Sequence, residues 1–200
     1  MKEAGTEEKI LKAAREVFTQ KGMHGARMQE IADRAGINKA LLHYYYRSKD
    51  QLFVAIFQDI LKDMIPRLIP IFVAKVPLEV KVYKLADIYI EFLKKNQDLP
   101  LFVLYELQQN PERLTSHFNL NKLDHFKVIQ QQLDEEAAKG NIRPIQLPHF
   151  IMNLMAGMVF PFVAKPLFKT ILEISQEDFE LLMEQRKTEF PKFIMNALKP

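Results

Sequence analysis

The segment MQEIADRAGINKALLHYYYR, residues 28–47, predicts two short helices joined by a tight turn. Ile31 and Ala35 form an apolar pair one turn apart on the first helix. Gly36 is expected to end that helix, because glycine adopts the positive φ of a C-terminal cap without a steric clash. Asn38 can then cap the second helix through its side-chain oxygen. This order of apolar pair, glycine and cap is typical of a DNA-binding helix-turn-helix.

The second helix of this segment has two chemically different sides. Leu42 and Tyr46 are four residues apart and face the core, while Lys39 and Tyr44 fall on the opposite, cationic and aromatic side. A recognition helix in a major groove needs this arrangement. Together with the helix N-termini that flank it, this side gives the candidate DNA contacts: Arg27, Gln29, Asn38, Lys39, Ala40, Leu41, His43, Tyr44, Tyr45 and Lys49.

Charge is concentrated in the same part of the chain. Residues 1–50 contain ten Lys or Arg and seven Asp or Glu, a net charge of +3 that equals the net charge of all 200 residues. Between Asn38 and Lys49 there is no acidic residue. A phosphate backbone attracts such a patch, although +3 by itself is an ordinary surface charge.

The rest of the chain has helical periodicity throughout, which predicts an all-α protein of about nine helices. Pro66 and Pro70 are expected to end the fourth helix, and Pro111 to begin a short one. Ser175 begins a capping box for the last helix, which Pro191 should kink or interrupt. One gap in charge, residues 144–164, is about as long as a membrane span. Its prolines, Asn and His favour a buried or interface helix instead.

Composition and spacing offer no sign of catalytic chemistry. The chain has no cysteine, no secretory leader pattern and no glycine-rich phosphate loop, so we expect a cytoplasmic protein without disulfides. His117, His125 and His149 lack the spacing of a metal site. We therefore expect no catalytic residues, no metal and no cofactor, and an all-helical enzyme is the less favoured class.

Residues 6–53 resemble the tetracycline-repressor (TetR) family of transcriptional regulators. The resemblance rests on Phe18, on Gly22 and Gly25, and on the runs at 31–32, 35–39, 44–46 and 48–49. It implies a three-helix DNA-binding head at 1–48 and a helical ligand-binding and dimerisation body at 49–200. Three positions depart from the family pattern, namely Arg27, Ala40 and His43, and each puts a borrowed operator sequence in doubt.

The resemblance also implies a small-molecule effector and a homodimer. The candidate ligand pocket comprises Tyr89, Phe92, Phe102, Tyr105, Phe126, Met152 and Met155, although each of these is also an ordinary core residue. The candidate dimer interface comprises Phe150, Leu154, Gly157, Phe179, Leu182, Arg186 and Phe190.

The predicted function is a ligand-responsive repressor. It would release a palindromic double-stranded DNA operator when an unknown small molecule binds the body, without a membrane partner. The alternative is a DNA-binding regulator with no small-molecule ligand, which a protein partner controls or which acts constitutively.

Overall fold

The computed structural model of the chain describes residues 2–97, 99–109, 112 and 124–200. It leaves out the side chains of residues 2–4, 23, 24, 61, 63, 102, 105, 106, 109 and 124. Within these ranges the fold is all-α, with ten helices and no strand. The helices are α1 (Lys2–Gly25), α2 (Met28–Ala35), α3 (Lys39–Tyr45), α4 (Lys49–Val73), α5 (Leu78–Lys95), α6 (Leu99–Gln109), α7 (Asp124–Ala138), α8 (Leu147–Val163), α9 (Lys165–Ile171) and α10 (Gln176–Leu198).

The described residues form two compact units. One contains residues 2–63, 101–109 and 112, and the other contains residues 64–97, 99–100 and 124–200. The boundary lies inside α4, between Asp63 and Met64. The predicted assignment of DNA binding to 1–48 and of ligand binding to 49–200 stays a prediction.

The first unit packs α1, α2 and α3 around a small apolar core. Ile10, Val17 and Phe18 on α1 are fully or almost fully buried, and the Phe18 ring meets Phe53 of α4 edge-on with ring centroids 6.1 Å apart. Gly22 interrupts α1 at φ 64°, ψ 173°. The left-handed φ explains why a glycine occupies this position.

The second unit has a larger core in which α10 packs along α5 and both contact α8. Its buried residues are Leu68, Ile71, Leu78, Val82, Leu85, Ala86, Ile90, Leu93, Ile129, Leu133, Ile142, Phe150, Leu154, Met158, Phe162, Phe179, Met183, Phe190, Ile194 and Leu198. At the edge of this core, Lys187 of α10 lies 3.0 Å from Glu91 of α5 and 2.8 Å from Glu184. The Lys187–Glu91 pair connects α10 with α5, and the Lys187–Glu184 pair lies within α10.

The prediction that Pro66 and Pro70 end the fourth helix is wrong. Both prolines lie inside α4, which continues to Val73 and is followed by a hydrogen bond from Ala74 N to Pro70 O at 3.0 Å. A proline removes one backbone donor and strains the preceding turn, at a cost of about 3 kcal/mol in a helix interior. Burial of Leu68 and Ile71 on the same stretch opposes that cost.

The later helices confirm some boundaries and correct others. Ser175 Oγ accepts a hydrogen bond from Asp178 N at 3.1 Å, and the Asp178 carboxylate accepts one from Ser175 N, which completes the predicted capping box. Pro191 does not interrupt α10. Helix α9 was not predicted, and the short helix expected at Pro111 lies outside the described residues.

Among the described helices, none is both long and apolar enough to cross a membrane alone. Only α8 and α9 taken together reach that length and composition, and the two are bent by 68° relative to each other.

Candidate DNA-binding site

The turn between α2 and α3 has the geometry that the sequence predicted. Gly36 has φ 70° and ψ 33°, and its N–H donates to Asp33 O at 3.1 Å, while Ile37 N donates to Ala32 O at 3.0 Å. These two bonds satisfy carbonyls that the end of α2 would otherwise leave unpaired. Asn38 Oδ1 then accepts from Leu41 N at 2.7 Å and caps α3.

The inner side of α3 fixes the helix to the rest of the unit. Leu42 is fully buried, and Tyr46, directly after the helix, is buried with its hydroxyl donating to Glu7 of α1 at 2.8 Å. Burial, together with the neighbouring Glu7 carboxylate, raises the pKa of Tyr46 above its usual value. This contact confirms Tyr46 as a core residue and orients α3 on α1.

The outer side of α3 is exposed and carries a projecting aromatic ring. Lys39, Ala40 and His43 are exposed, and Tyr44 has 79% of its surface in contact with solvent. The Tyr44 ring meets the half-buried Tyr45 ring edge-on, with centroids 5.6 Å apart. Tyr45 therefore supports Tyr44 from the side, and a short helix presents both a cation and a rigid aromatic group.

Two acidic side chains of α2 have local partners. The Lys21 ammonium lies 2.8 Å from the Glu30 carboxylate, and Asp33 accepts a hydrogen bond from Gln29 at 2.7 Å. In contrast, Lys39 and Arg27 are exposed and make no ion pair within the described part of the chain. The cations are therefore available to an external anion, whereas part of the Gln29 amide is used within α2.

Two candidate residues have surroundings that the sequence did not reveal. Lys49, the first residue of α4, donates from Nζ to Ala26 O at 3.0 Å, so its ammonium supports the segment between α1 and α2. The assignment of Lys49 as a phosphate contact stays a prediction. Arg27 precedes α2 in extended conformation and provides no side-chain cap. An arginine side chain has no acceptor atom for that role.

Arg47 is a candidate that sequence reasoning missed. It lies between α3 and α4, its side chain is exposed, and within the described residues it makes no ion pair. Arg47 N donates to Gln51 Oε1 at 3.1 Å, which holds the backbone next to the start of α4. The signal was present in the acid-free run from Asn38 to Lys49.

Residues 10–56 match the family model described as bacterial regulatory proteins, tetR family. Over these residues the chain resembles the tetR-family regulators. The match covers α2, α3, most of α1 and the beginning of α4, so it coincides with the helix-turn-helix described above.

Curated relatives within the TetR family align mainly over this head. The HTH-type transcriptional regulator RutR of Escherichia coli K12 is 46% identical over 52 residues, which are 26% of this chain and 24% of RutR. The HTH-type transcriptional activator FasR of Mycolicibacterium smegmatis is 49% identical over 49 residues, 24% of this chain and 22% of FasR. The chain thus aligns with about a quarter of the length of these curated relatives.

A solved structure extends the likeness of fold to the whole chain. A fatty acid metabolism regulator assigned to Clostridium perfringens superposes with a TM-score of 0.72 at 21% identity, covering 96% of this chain and 99% of the other. At that identity the likeness concerns the fold alone. It agrees with an all-helical fold beyond the helix-turn-helix.

The described residues of the candidate ligand pocket differ in their exposure and contacts. Tyr89 and Phe92 are half-buried beside the second core, with ring centroids 6.4 Å apart, and burial raises the pKa of Tyr89 to about 12. Met152 and Met155 are 56% and 40% exposed, so they are surface residues of α8 rather than the wall of an enclosed cavity. Phe126 contacts Phe72, with ring centroids 5.7 Å apart, and the side chains of Phe102 and Tyr105 lie outside the described set.

Most candidate dimer-interface residues are instead part of the core of a single chain. Phe150, Leu154, Phe179 and Phe190 are each at most 4% exposed, so a second chain could not contact them without unfolding. Gly157 lies directly under the Phe190 ring, and Arg186 Nε donates to Gly157 O at 2.7 Å. Gly157 therefore permits the close approach of α8 to α10 within the chain. Leu182 is 40% exposed.

Other apolar residues of α8 and α10 are exposed in their place. They are Met152, Met155, Phe160, Leu181 and Phe193, of which Phe193 is 67% exposed, in addition to the predicted Leu182. The predicted helices thus remain candidates for self-association, with mostly different residues at the contact.

Proposed function

We propose that this chain is a TetR-family transcriptional repressor that binds an inverted-repeat DNA operator as a homodimer. The exposed face of α3 carries the proposal. It combines Lys39, His43 and a largely exposed Tyr44 on a helix whose other side is fixed by Leu42 and Tyr46. A helix with this division of faces fits a major groove, where its polar and aromatic side chains reach base edges.

The positive side chains around α3 have a distinct role in the proposal. Arg27, Lys39 and Arg47 are exposed and would contact phosphates, which sets the orientation of α3 but carries little sequence information. The backbone N–H groups at the start of α4 would add neutral donors to the same phosphates. Such contacts release counterions, so operator affinity should fall steeply as salt concentration rises.

Dimerisation supplies the second head that an inverted repeat requires. The exposed apolar residues on α8 and α10, including Met155, Leu182 and Phe193, would meet the same residues of a second copy. An isologous helical contact of this kind is apolar and should persist in high salt. Operator binding, in contrast, should weaken as the salt concentration rises.

The regulatory step would be a shift between two arrangements of the dimer. A small molecule that binds the second unit would favour an arrangement in which the two heads no longer match successive major grooves. Helix α4 contains residues of both units and is the natural connection between them. The name of the Clostridium perfringens protein makes fatty acid metabolism one area in which to look for the regulated genes.

Binding to the DNA next to the chain's own gene tests the DNA-binding part. Fluorescence anisotropy with a labelled duplex should give an affinity that Lys39→Ala and Tyr44→Ala each lower by about tenfold, which corresponds to about 1.4 kcal/mol. Lys95→Ala removes an exposed lysine of α5 and should leave affinity unchanged. Equal affinity for the wild type and both α3 variants would refute the proposed docking.

The alternative is a regulator of the same DNA-binding kind without a small-molecule effector. Native mass spectrometry of the purified chain distinguishes the two, because a ligand-responsive protein can retain a co-purified molecule. A search for ligands that shift thermal stability provides the second observation. If neither experiment detects a bound molecule, control by a protein partner or constitutive binding becomes the better account.

A further inference from the structure

A pocket of about 810 Å³ lies in the second unit beside the linker that joins α4 to α5. Its apolar lining includes Val73 and Val76 on the linker side and Val128 on α7. Two polar side chains, Lys81 of α5 and Gln132 of α7, also line it. None of these residues belongs to the pocket predicted from the sequence.

Lys81 is a buried cation without a counter-ion. It is 2% exposed, and its ammonium donates to Phe72 O, near the end of α4, at 2.8 Å. Within the described residues it makes no ion pair. An ammonium has three N–H donors, and Phe72 O accepts one of them. Buried charges in proteins are normally paired, so Lys81 offers its remaining donors to an anion.

Gln132 leaves a buried acceptor without a partner. Its Nε2 donates to Val76 O at 2.8 Å, whereas its Oε1 is buried and receives no hydrogen bond from the described residues. A buried acceptor of this kind is uncommon and calls for a donor. The pocket therefore contains an unmatched cationic donor and an unmatched neutral acceptor.

Most of the other charged side chains that line the pocket have a local partner. Lys139 lies 3.1 Å from Glu136, and Glu135 accepts a hydrogen bond from Gln131 at 2.9 Å. Lys75 is exposed to solvent, where an unpaired charge costs little. The charge that a ligand has to match is thus mainly that of Lys81, and this favours a ligand with a single negative charge.

We propose that this pocket binds a short-chain hydroxycarboxylate. Its carboxylate would accept from Lys81, its hydroxyl on C2 or C3 would donate to Gln132 Oε1, and its alkyl chain would lie against Val73, Val76 and Val128. This assigns the chemical class of the effector in the proposed function and rests on that function for its regulatory meaning. The binding itself requires no DNA.

The location of the pocket suggests how an occupant would act on the chain. Lys81 and Gln132 hold the carbonyls of Phe72 and Val76, which flank the C-terminal end of α4. An anion that shares the Lys81 ammonium competes with the Phe72 carbonyl and changes the cap of α4. Helix α4 begins at Lys49, next to the helix-turn-helix.

Isothermal titration calorimetry of the full chain without DNA tests the assignment with four probes. These are 2-hydroxyhexanoate, 3-hydroxyhexanoate, hexanoate and hexanol, each up to about 10 mM. One hydroxy acid should bind about fivefold more tightly than hexanoate, because it adds one hydrogen bond. Hexanol, which lacks the carboxylate, should bind at least about tenfold more weakly than hexanoate.

Three variants separate the roles of the side chains. Lys81→Met should lower the affinity for both acids at least about tenfold, whereas Lys84→Met, at an exposed lysine of α5 outside the pocket lining, should leave it unchanged. Gln132→Leu should retain hexanoate binding but lose the preference for the hydroxy acid. That lost preference is a readout that a purely structural role of Gln132 would not alter.

Clear outcomes would overturn the proposal. The proposal is wrong if neither hydroxy acid binds the wild type, or if hexanol and hexanoate bind equally. Both results are obtained with the wild type and do not depend on whether Lys81→Met folds. Unchanged affinity in a folded Lys81→Met variant would also overturn the proposal. The proposed function is tested separately, by DNA titrations without any acid. It fails if the chain shows no preference for an operator sequence in those titrations.

Discussion

The two compact units stabilise their helices in different ways. In the first unit α2 and α3 end on local signals, the left-handed Gly36 and the cap of Asn38, and the helices have eight and seven residues. In the second unit, Pro161 and Pro191 lie inside α8 and α10, which continue past them and bury both prolines. Short helices thus depend on capping chemistry, whereas long apolar helices are maintained by the core they share.

The largest effect should come from truncating the second core. Phe179 is 2% exposed, its ring centroid lies 6.0 Å from that of Phe162, and Lys165 lies over its ring. Phe179→Ala should lower the free energy of unfolding by about 3–5 kcal/mol. Leu182→Ala, one turn further along α10 and 40% exposed, should cost less than about 1 kcal/mol within one chain but weaken self-association.

Urea denaturation and sedimentation velocity separate these two effects. We expect Phe179→Ala to lower the urea midpoint at every protein concentration, and Leu182→Ala to shift the monomer–dimer equilibrium. If Phe179→Ala instead produced a stable monomer of normal urea resistance, the placement of Phe179 in the core would be wrong.

Two glycine-to-alanine variants, one in each unit, compare how closely neighbouring atoms pack around the glycine. At Gly157 a Cβ atom would overlap the ring of Phe190, which is 4% exposed and has little room to move. Gly157→Ala should therefore destabilise the chain by about 1–3 kcal/mol. Gly5→Ala, on α1 with no atom within 4 Å of the added Cβ, should be neutral or stabilise by about 0.5–1 kcal/mol. Thermal unfolding of both variants measures the difference, and a neutral Gly157→Ala would contradict the close approach.

The same contrast explains what the sequence could predict. Gly36, Asn38 and Ser175 act on backbone groups within a few residues, so their roles follow from local spacing. The continuation of α4 through Pro66 depends on long-range burial, which no local pattern contains.

Side-chain roles follow the same division. Tyr44 was correctly placed on the exposed face of α3 because that helix is short and its register is clear. Four of the five aromatic and leucine residues expected at the dimer contact were buried instead, since one apolar stripe can serve a core or an interface equally well. The hydrogen bond from Lys49 to Ala26 O joins residues 23 positions apart and gave no sequence signal.

Two lysines of the first unit should respond differently to the same substitution. Lys49→Met removes the hydrogen bond to Ala26 O and should lower stability by about 1 kcal/mol. Lys39→Met should leave stability unchanged and reduce the slope of log affinity against log salt by about one. Paired unfolding and anisotropy measurements decide between the roles. Identical behaviour of the two variants would remove the distinction drawn between them.

The smallest effect should come from the ion pairs of α5 and α10. Hydrogen bonds from Lys187 lower the pKa values of Glu91 and Glu184. A carboxylate whose pKa is lowered by folding stabilises above its unfolded value and loses that contribution as pH falls. Because both carboxylates are exposed, the wild type should exceed Lys187→Met by at most about 1 kcal/mol at pH 7, and the difference should vanish near pH 3. If the difference in stability between the wild type and Lys187→Met persists at pH 3, it comes from packing of the lysine stem and not from the ion pairs.

Selection of duplex DNA from a random pool tests most directly the claim that α3 reads operator sequence. We expect the wild-type chain to enrich an inverted repeat whose half-sites are centred about one helical turn, roughly 34–36 Å, apart. A Tyr44→Ala variant should lose most of that enrichment, while Lys95→Ala should retain it. Absence of any enriched sequence, or enrichment that is unchanged in Tyr44→Ala, would contradict the account.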